Sequence, residues 1–368
     1  MKYNKEQIFS ILKDNEIARD IFGSNLDKIV MEALNAYDEK HRYYHSLRHL
    51  SELFGLIVDF TNKNNLCQNA IETLQLVALY HDVFYNPKPD GYGEYSNEEV
   101  SANRFYSDYN LNGMKSYDIR VKSICDMILE TQYGKREGTT ALSVIFNEMD
   151  LYPLIYGNLN ELIKNEMLIF KEYQFNSYPK YKEGRIKFLN FIKNHKLVKR
   201  NESNILLLKE YVENYVPNIG IYAGSFNPFH IGHKNILEKA DKLFDKIIVA
   251  FGRNPDKESY DLDIDKTIRP FIPFYEVNEF TGALSEYIKS VEKYAKVTLV
   301  RGLRNGYDFS YEINQLRFIE DMYGGNVSVV FIPCDREFDY ISSSAIRSIE
   351  QIGGNFAEKY LGLEGAKQ

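Results

Sequence analysis

"GIYAGSFNPFHIGHKNILEKA", residues 220–240, decides how this chain reads. A short apolar run leads through a loop holding Gly224, Ser225 and Pro228 into a helical pattern that opens around His233. A strand passing directly into a helix is the repeating unit of a parallel α/β sheet. Gly224 is expected to let the backbone turn tightly, and Gly232 to let a ligand approach the helix start without meeting a Cβ. Free amides and the dipole at a helix start favour an anion, and His230 and His233 could both reach phosphate oxygens there. In an in-line transfer they would stabilise charge developing on a phosphoryl group. A tight turn with two surface imidazoles is the plainer alternative.

Working outward, "IGIYAG", "KIIVAFG", "KVTLVRG" and "VSVVFIP" are short Val- and Ile-rich runs, each closed by Gly or Pro. Helical patterns such as "HKNILEKADKLF" and "FSYEINQLRFIEDMY" separate them, which predicts a doubly covered, Rossmann-like parallel sheet. Ligands of such sheets bind beyond the carboxyl ends of the strands. There stand Arg301 and Arg304, followed by Asp308 and Glu312, in "LVRGLRNGYDFSYE". Arginine forks suit phosphate oxygens, and nearby acids can orient the forks or a metal's water shell. Ser342, Ser343 and Ser344 in "YISSSAIRSI" can cap a helix or bind a phosphate at its positive end. Lys257, in the loop "GRNPDKESY", is a further candidate, although alone it reads as a solvated loop lysine.

The set GSFNPFHIGH, RGLRNGYDFSYE and YISSSAIR, in this order, resembles the phosphopantetheine adenylyltransferases of the H-x-G-H nucleotidyltransferase superfamily over roughly residues 218–360. "FTGALSEYI" (280–288) is similar to the family's segment preceding the R-G-L-R strand. The resemblance implies that His233 stabilises the pentacovalent transition state at the α-phosphate of ATP. It implies that His230, where the family often has threonine, holds nucleotide phosphates. Ser225, with Phe226 beside it, and Lys257 would contact the phosphate of 4′-phosphopantetheine; Arg301 would help bind that acceptor. Arg304 and Glu312 would serve the nucleotide, Ser342, Ser343 and Ser344 would line the triphosphate, and Mg2+ would accompany the leaving pyrophosphate. One stretch departs from the family: in "DLDIDKTIRPFIPFYEVN" Pro270 and Pro273 should break the helix that normally shapes the acceptor pocket.

Residues 1–200 read as helical almost throughout, with apolar residues at three- and four-residue intervals in "SLRHLSELFGLIVDF" and "AIETLQLVALYHDVF". "NPKPDGYGEYSN" (86–97) should be an exposed loop, and "NESNILLLKEYVENYVPN" (201–218) a single helix ended by Pro217. Histidines cluster here as well. His41, His45 and His49 are spaced four apart, so neighbours share a helix face, and His81 and Asp82 close an apolar helical run. Imidazoles with carboxylates suit a first-row metal such as Mn, Fe, Co or Zn; buried neutral histidines are the structural alternative. "HRYYHSLRH", "ALYHDVFYNP", "SNEEVSANRF" and "MDLYPL" resemble a branch of the HD superfamily of metal-dependent phosphohydrolases. That resemblance implies His49, His81, Asp82 and Asp150 as ligands, with His45 and Glu98 as accessory groups. The branch often has a further histidine after "MILETQ", where this chain reads "ETQYGKRE". His195 reads as a surface residue.

The expected organisation is thus two domains. An all-α HD-type domain spans 1–200, a helical linker 201–217, and an α/β adenylyltransferase domain 218–368. The totals agree with a soluble enzyme of small molecules. A net charge of -7 lacks the basic footprint of a nucleic-acid binder. No apolar run reaches membrane-spanning length, and the charged first thirty residues hold no secretory leader. Cys67, Cys125 and Cys334 form no C-x-x-C, which fits a reducing cytoplasm. The leading expectation is a bifunctional enzyme, its C-terminal part making dephospho-coenzyme A, possible as a homo-oligomer. The alternatives are another phosphorylated acceptor, such as nicotinate mononucleotide, or a nucleotide- or coenzyme-A-sensing protein with one silent domain.

Overall fold

A computed structural model describes residues 2–88, 95–111, 118–253, 268–352 and 356–361. Contacts divide the chain into two compact units, Met1–Glu172 with Lys187–Tyr211, and Tyr173–Ile186 with Val212–Gln368. The units are interleaved along the sequence, whereas composition alone suggests one passage between 200 and 218.

The first unit is helical. In chain order its helices are α1 (Lys5–Asp14), α2 (Glu16–Phe22), α3 (Leu26–Ala36), α4 (Leu47–Asn64), α5 (Gln68–Tyr80), α6 (Asn97–Asn110), α7 (Ile119–Leu129), α8 (Ala141–Asp150), α9 (Tyr152–Tyr156) and α10 (Leu159–Glu172), while α11 (Tyr178–Ile192) and α12 (Glu202–Asn214) have residues in both units. Capping boxes start α1 (Asn4 with Gln7), α6 (Ser96 with Glu99) and α8 (Thr140 with Ser143), satisfying amides that a helix start leaves unpaired. α4 buries Leu50, Leu53, Phe54 and Ile57; α5 buries Leu74 and Leu76 to Tyr80; α8 buries Phe146 and Met149. Each such side chain contributes about 1.5–3 kcal/mol, so packing of α4, α5 and α8 together holds in place the polar groups they carry. α12 ends three residues before Pro217, in keeping with the expected stop. No helix among the described residues is long and apolar enough to cross a membrane.

The second unit is a five-stranded, all-parallel sheet of β1 (Asn218–Gly224), β2 (Lys246–Arg253), β3 (Glu276–Thr281), β4 (Lys296–Leu303) and β5 (Val329–Pro333), in the order β3-β2-β1-β4-β5. α13 (Ile231–Ala240), α14 (Leu284–Glu292), α15 (Gly306–Tyr323) and α16 (Ser343–Ile352) accompany it. The strand order reverses beside β1, so the carboxyl ends of β1 and β4 flank the crevice where such sheets bind ligands. Four strands are the four apolar runs of the sequence. β3, "EVNEFT", is not foreseen by hydrophobicity: among the described residues it pairs only with β2, and it buries only its first two residues. Around Pro270 and Pro273 the backbone runs in turns rather than a helix, with Ile268 and Ile272 in the core. Lys257 and positions 254–267 lie outside the described residues.

Lys246 explains why residues 173–186 belong with the sheet. Its side chain is fully buried at the start of β2, paired with Glu276 at 2.8 Å and bonded to the carbonyls of Gln174 and, at 2.7 Å, Asn176. Gln174 also donates to Asp241 (3.2 Å) and accepts the Ile247 amide (3.3 Å). A buried ammonium persists only when its donors are met, and this segment meets them.

Candidate active sites

In the second unit the site grows from the end of β1. The residue in the left-handed region is Phe226 (φ 41°), not Gly224. Gly224 is dictated by space instead, since a Cβ there would come within 3.0 Å of the Phe226 ring. Gly232 is likewise a matter of room: a Cβ would lie 3.1 Å from the His230 ring. The expectation of a tight turn at Gly224 is therefore corrected, while Gly232 also lines the cavity of the site. The two glycines make room for Phe226 and His230.

His230 is the N-cap of α13. Its Nδ1 accepts the His233 amide (3.4 Å) and His233 Nδ1 accepts the His230 amide (3.3 Å), while the rings stack at 3.7 Å. With both Nδ1 atoms accepting, each neutral ring carries its proton on Nε2 and presents an N–H donor. Burial, aided by the charge of Arg304, pushes His230 down to about 4 and His233 well below its ordinary value. Both are therefore neutral donors at pH 7, and among the described residues the positive charge of the site comes from arginine.

Arg301, at the end of β4, donates to the Ala223 carbonyl (3.0 Å) and pairs with Glu312 (3.2 Å). Burial raises the Glu312 carboxyl although Arg301 opposes it. Arg304 is gripped at both ends of its fork by Asp308, at 2.9 and 2.8 Å. Ser342 caps α16 through the Ala345 amide (3.2 Å), and Ser343 donates to the Pro228 carbonyl (3.0 Å). These groups, with Ser225, Phe226 and Ser344, line one cavity of about 630 Å³, a size suited to a small ligand. Thus the structure brings together every described residue singled out in this half; Lys257 is not among the described ones. Arg347 was missed. It lines the same cavity and donates to the Asn227 carbonyl. Its position four residues after Ser343 on one helix was the available signal.

In the first unit His49 leaves the first turn of α4, His81 and Asp82 follow α5, and Asp150 ends α8. His49 Nε2 lies 3.4 Å from His81 Nε2 and 3.2 Å from Asp150 Oδ1; His81 Nε2 lies 3.6 Å from Asp150 and 3.0 Å from Asp82. The two imidazoles are almost wholly buried. His81 donates Nδ1–H to the Ala78 carbonyl (2.9 Å), so in the neutral ring Nε2 carries the lone pair. Burial opposes charge on all three, yet mutual attraction holds His81 above its ordinary value and Asp82 and Asp150 below theirs. Donors about 2.1 Å from a shared ion stand about 3.0–3.4 Å apart, so His49, His81 and Asp150 have the spacing of metal ligands. They form the cluster able to hold an ion among the described residues.

His45 stands beside this cluster, its ring 6.1 Å from that of His49. Glu172, not anticipated from sequence, positions it. This fully buried carboxylate accepts the amides of Tyr43 (3.0 Å), Tyr44 (2.7 Å) and His45 (2.8 Å), His45 Nδ1–H (2.7 Å) and the Tyr85 hydroxyl (3.0 Å). Glu98 sits in the first turn of α6 and is not among the groups that converge on the cluster. His195 is half-buried against Tyr133 rather than standing free at the surface.

The sheet order, the crevice beside β1 and the paired imidazoles at a helix start define a nucleotidyltransferase-like domain, and the cytidylyltransferase-like family matches residues 221–349. Among similar proteins is the phosphopantetheine adenylyltransferase of Caldanaerobacter subterraneus, 35% identical over 145 residues, covering 38% of this chain and 88% of the relative. That of Clostridium tetani is 33% identical over 143 residues, covering 37% and 86%. Through this domain the chain belongs to the phosphopantetheine adenylyltransferase family. A solved Vibrio parahaemolyticus chain assigned as a nicotinate-nucleotide adenylyltransferase aligns at 19% identity and a TM-score of 0.28, covering 38% of this chain and 85% of that one, a likeness that carries no argument.

Proposed function

We propose that the second unit transfers AMP from ATP, taken as its magnesium complex, to 4′-phosphopantetheine, giving dephospho-coenzyme A and pyrophosphate. The reading rests on one observation: two neutral imidazoles, locked as Nε2–H donors, share a cavity with Arg301, Arg304 and Arg347. An acceptor phosphate oxygen attacks the α-phosphorus as the bond to the bridging oxygen breaks, so no protein nucleophile is required. His233 donates to the α-phosphate oxygens as charge builds, and His230 holds the neighbouring phosphates. Arg304, oriented by Asp308, carries nucleotide charge with Glu312 nearby, while Ser342, Ser343 and Ser344 line the triphosphate at the start of α16. Ser225, Phe226, Arg301 and Lys257 serve the acceptor. The names of the relatives support this acceptor.

The same proposal makes the first unit an HD-type phosphohydrolase, with His49, His81, Asp82 and Asp150 holding a divalent ion such as Mn, Fe, Co or Zn. That ion would supply an activated water for a phosphate ester. His45, oriented by Glu172, would contact the phosphate, with Glu98 a more distant accessory. A cytoplasmic location and a homo-oligomer complete the proposal.

Two measurements test it. Pyrophosphate release by the purified chain with ATP and magnesium should require 4′-phosphopantetheine, with dephospho-coenzyme A confirmed by mass. Release with nicotinate mononucleotide instead would reassign the acceptor, and silence with both would turn the reading toward sensing. Asp82→Ala should abolish metal uptake in the first unit; metal content equal to wild type would refute the hydrolase reading.

A further inference from the structure

We propose that Tyr133 is a positioning residue for Asp150 and that His195 holds Tyr133 in place, so the candidate metal cluster is aligned through Asp150. This rests on the metal reading of the first unit. The two oxygens of Asp150 are divided between two tasks. Oδ1 faces His49 and His81, and Oδ2 accepts the Tyr133 hydroxyl at 2.7 Å. A carboxylate's terminal torsion is broad, so an aspartate with one free oxygen can rotate or present both oxygens to an ion. The phenol removes that freedom and leaves Oδ1 as the oxygen turned to the imidazoles.

Tyr133 is itself constrained. It lies in a tight turn closed by Tyr133 N–H to Thr131 O (2.8 Å) and Arg136 N–H to Gln132 O (3.1 Å). The turn passes through Gly134 at φ 89°, where a Cβ would come 2.7 Å from the Phe191 ring. His195 sets its ring edge-on to Tyr133, with centroids 6.2 Å apart and planes at 75°. His195 is fixed in turn, its Nδ1 accepting the Leu197 amide at 3.4 Å. A tyrosine serving packing alone would need none of this at its hydroxyl. Among the described residues the hydroxyl bonds a proposed ligand, and hydrogen bonds of this kind govern ligand orientation and affinity in metal sites.

The test is Mn2+ binding by the full-length protein, stripped with chelator and titrated calorimetrically. Tyr133→Phe removes one oxygen from a retained ring and should weaken Mn2+ about 10–100-fold. Adenylyl transfer by the second unit should stay at the wild-type value. His195→Ala keeps the hydroxyl but frees the ring, and should also weaken Mn2+, though less; this variant decides the matter should Tyr133→Phe fail to fold. Wild-type affinity in either folded variant overturns the inference. Asp82→Ala separates the two layers. If the wild type takes up no Mn2+, the metal reading falls and takes this inference with it. If Asp82→Ala loses Mn2+ while Tyr133→Phe retains it fully, only the positioning role falls.

Discussion

The imidazoles of His230 and His233 stack 3.7 Å apart, and each accepts the other's backbone amide at Nδ1. The arrangement satisfies two amides of the α13 start and fixes the tautomer of both rings at once.

Replacing His233 by Ala removes one of these donors. Loss of a donor aimed at a transition-state oxygen costs about 10²–10³ in turnover. Pyrophosphate release should fall by that factor while circular dichroism stays that of wild type. Undiminished turnover in the folded variant would remove His233 from the chemistry.

Gly232→Ala probes the stack while leaving both histidines in the sequence. Alanine favours a helix by about 1 kcal/mol over glycine, while crowding a packed site costs about 1–3 kcal/mol. The new methyl, 3.1 Å from the His230 ring, should therefore change melting little and cut adenylyl transfer by roughly tenfold as the ring is displaced. Full activity would mean that the stack is dispensable.

The buried His230 also makes stability depend on pH. Unfolded, it takes a proton near 6.5; folded, burial and then Arg304 hold it down to about 4. The native state thus refuses a proton that the unfolded chain accepts. Its contribution is complete above pH 6.5 and is lost as pH falls toward 4, amounting to about 2 kcal/mol by pH 5. Urea unfolding at pH 7 and pH 5 should show a smaller difference in His230→Asn, which can still cap the helix. An unchanged difference would contradict this account.

Asp308→Asn should loosen the grip on Arg304, which is partly exposed. A pair of this kind is worth about 0.2–1 kcal/mol, so KM for ATP should rise a few-fold with kcat little altered. A fall confined to kcat would place Arg304 on the transition state instead.

Glu172→Gln should be severe. Removing one partner of a buried, hydrogen-bonded charge pair costs about 3–5 kcal/mol. Here the amide would also oppose the donors now gathered on the carboxylate. Denaturant unfolding of the first unit should show the loss, and a wild-type midpoint would deny Glu172 its organising role.

Much of this was legible in the residues. The four Val- and Ile-rich runs announced four strands because a sheet covered on both faces selects apolar residues at every position. His81 and Asp82 stood out because an apolar helix rarely ends on two such groups without a purpose. β3 was hidden because an edge strand can be polar. Glu172 and Tyr133 were hidden for another reason: their partners lie 127 and 17 residues away, beyond any local pattern. Gly224 misled because its need for space looks, in sequence, like a need for conformational freedom.

Lys246 has a consequence for how such a chain can be taken apart or inherited. Its buried ammonium is solvated by carbonyls about seventy residues upstream, at Gln174 and Asn176. A fragment beginning at Pro217 would keep the cation and lose that solvation. Because the units alternate along the sequence, a recombination event that exchanged one of them whole would need three breakpoints: between Glu172 and Tyr173, between Ile186 and Lys187, and between Tyr211 and Val212. Partners bound in this way descend together.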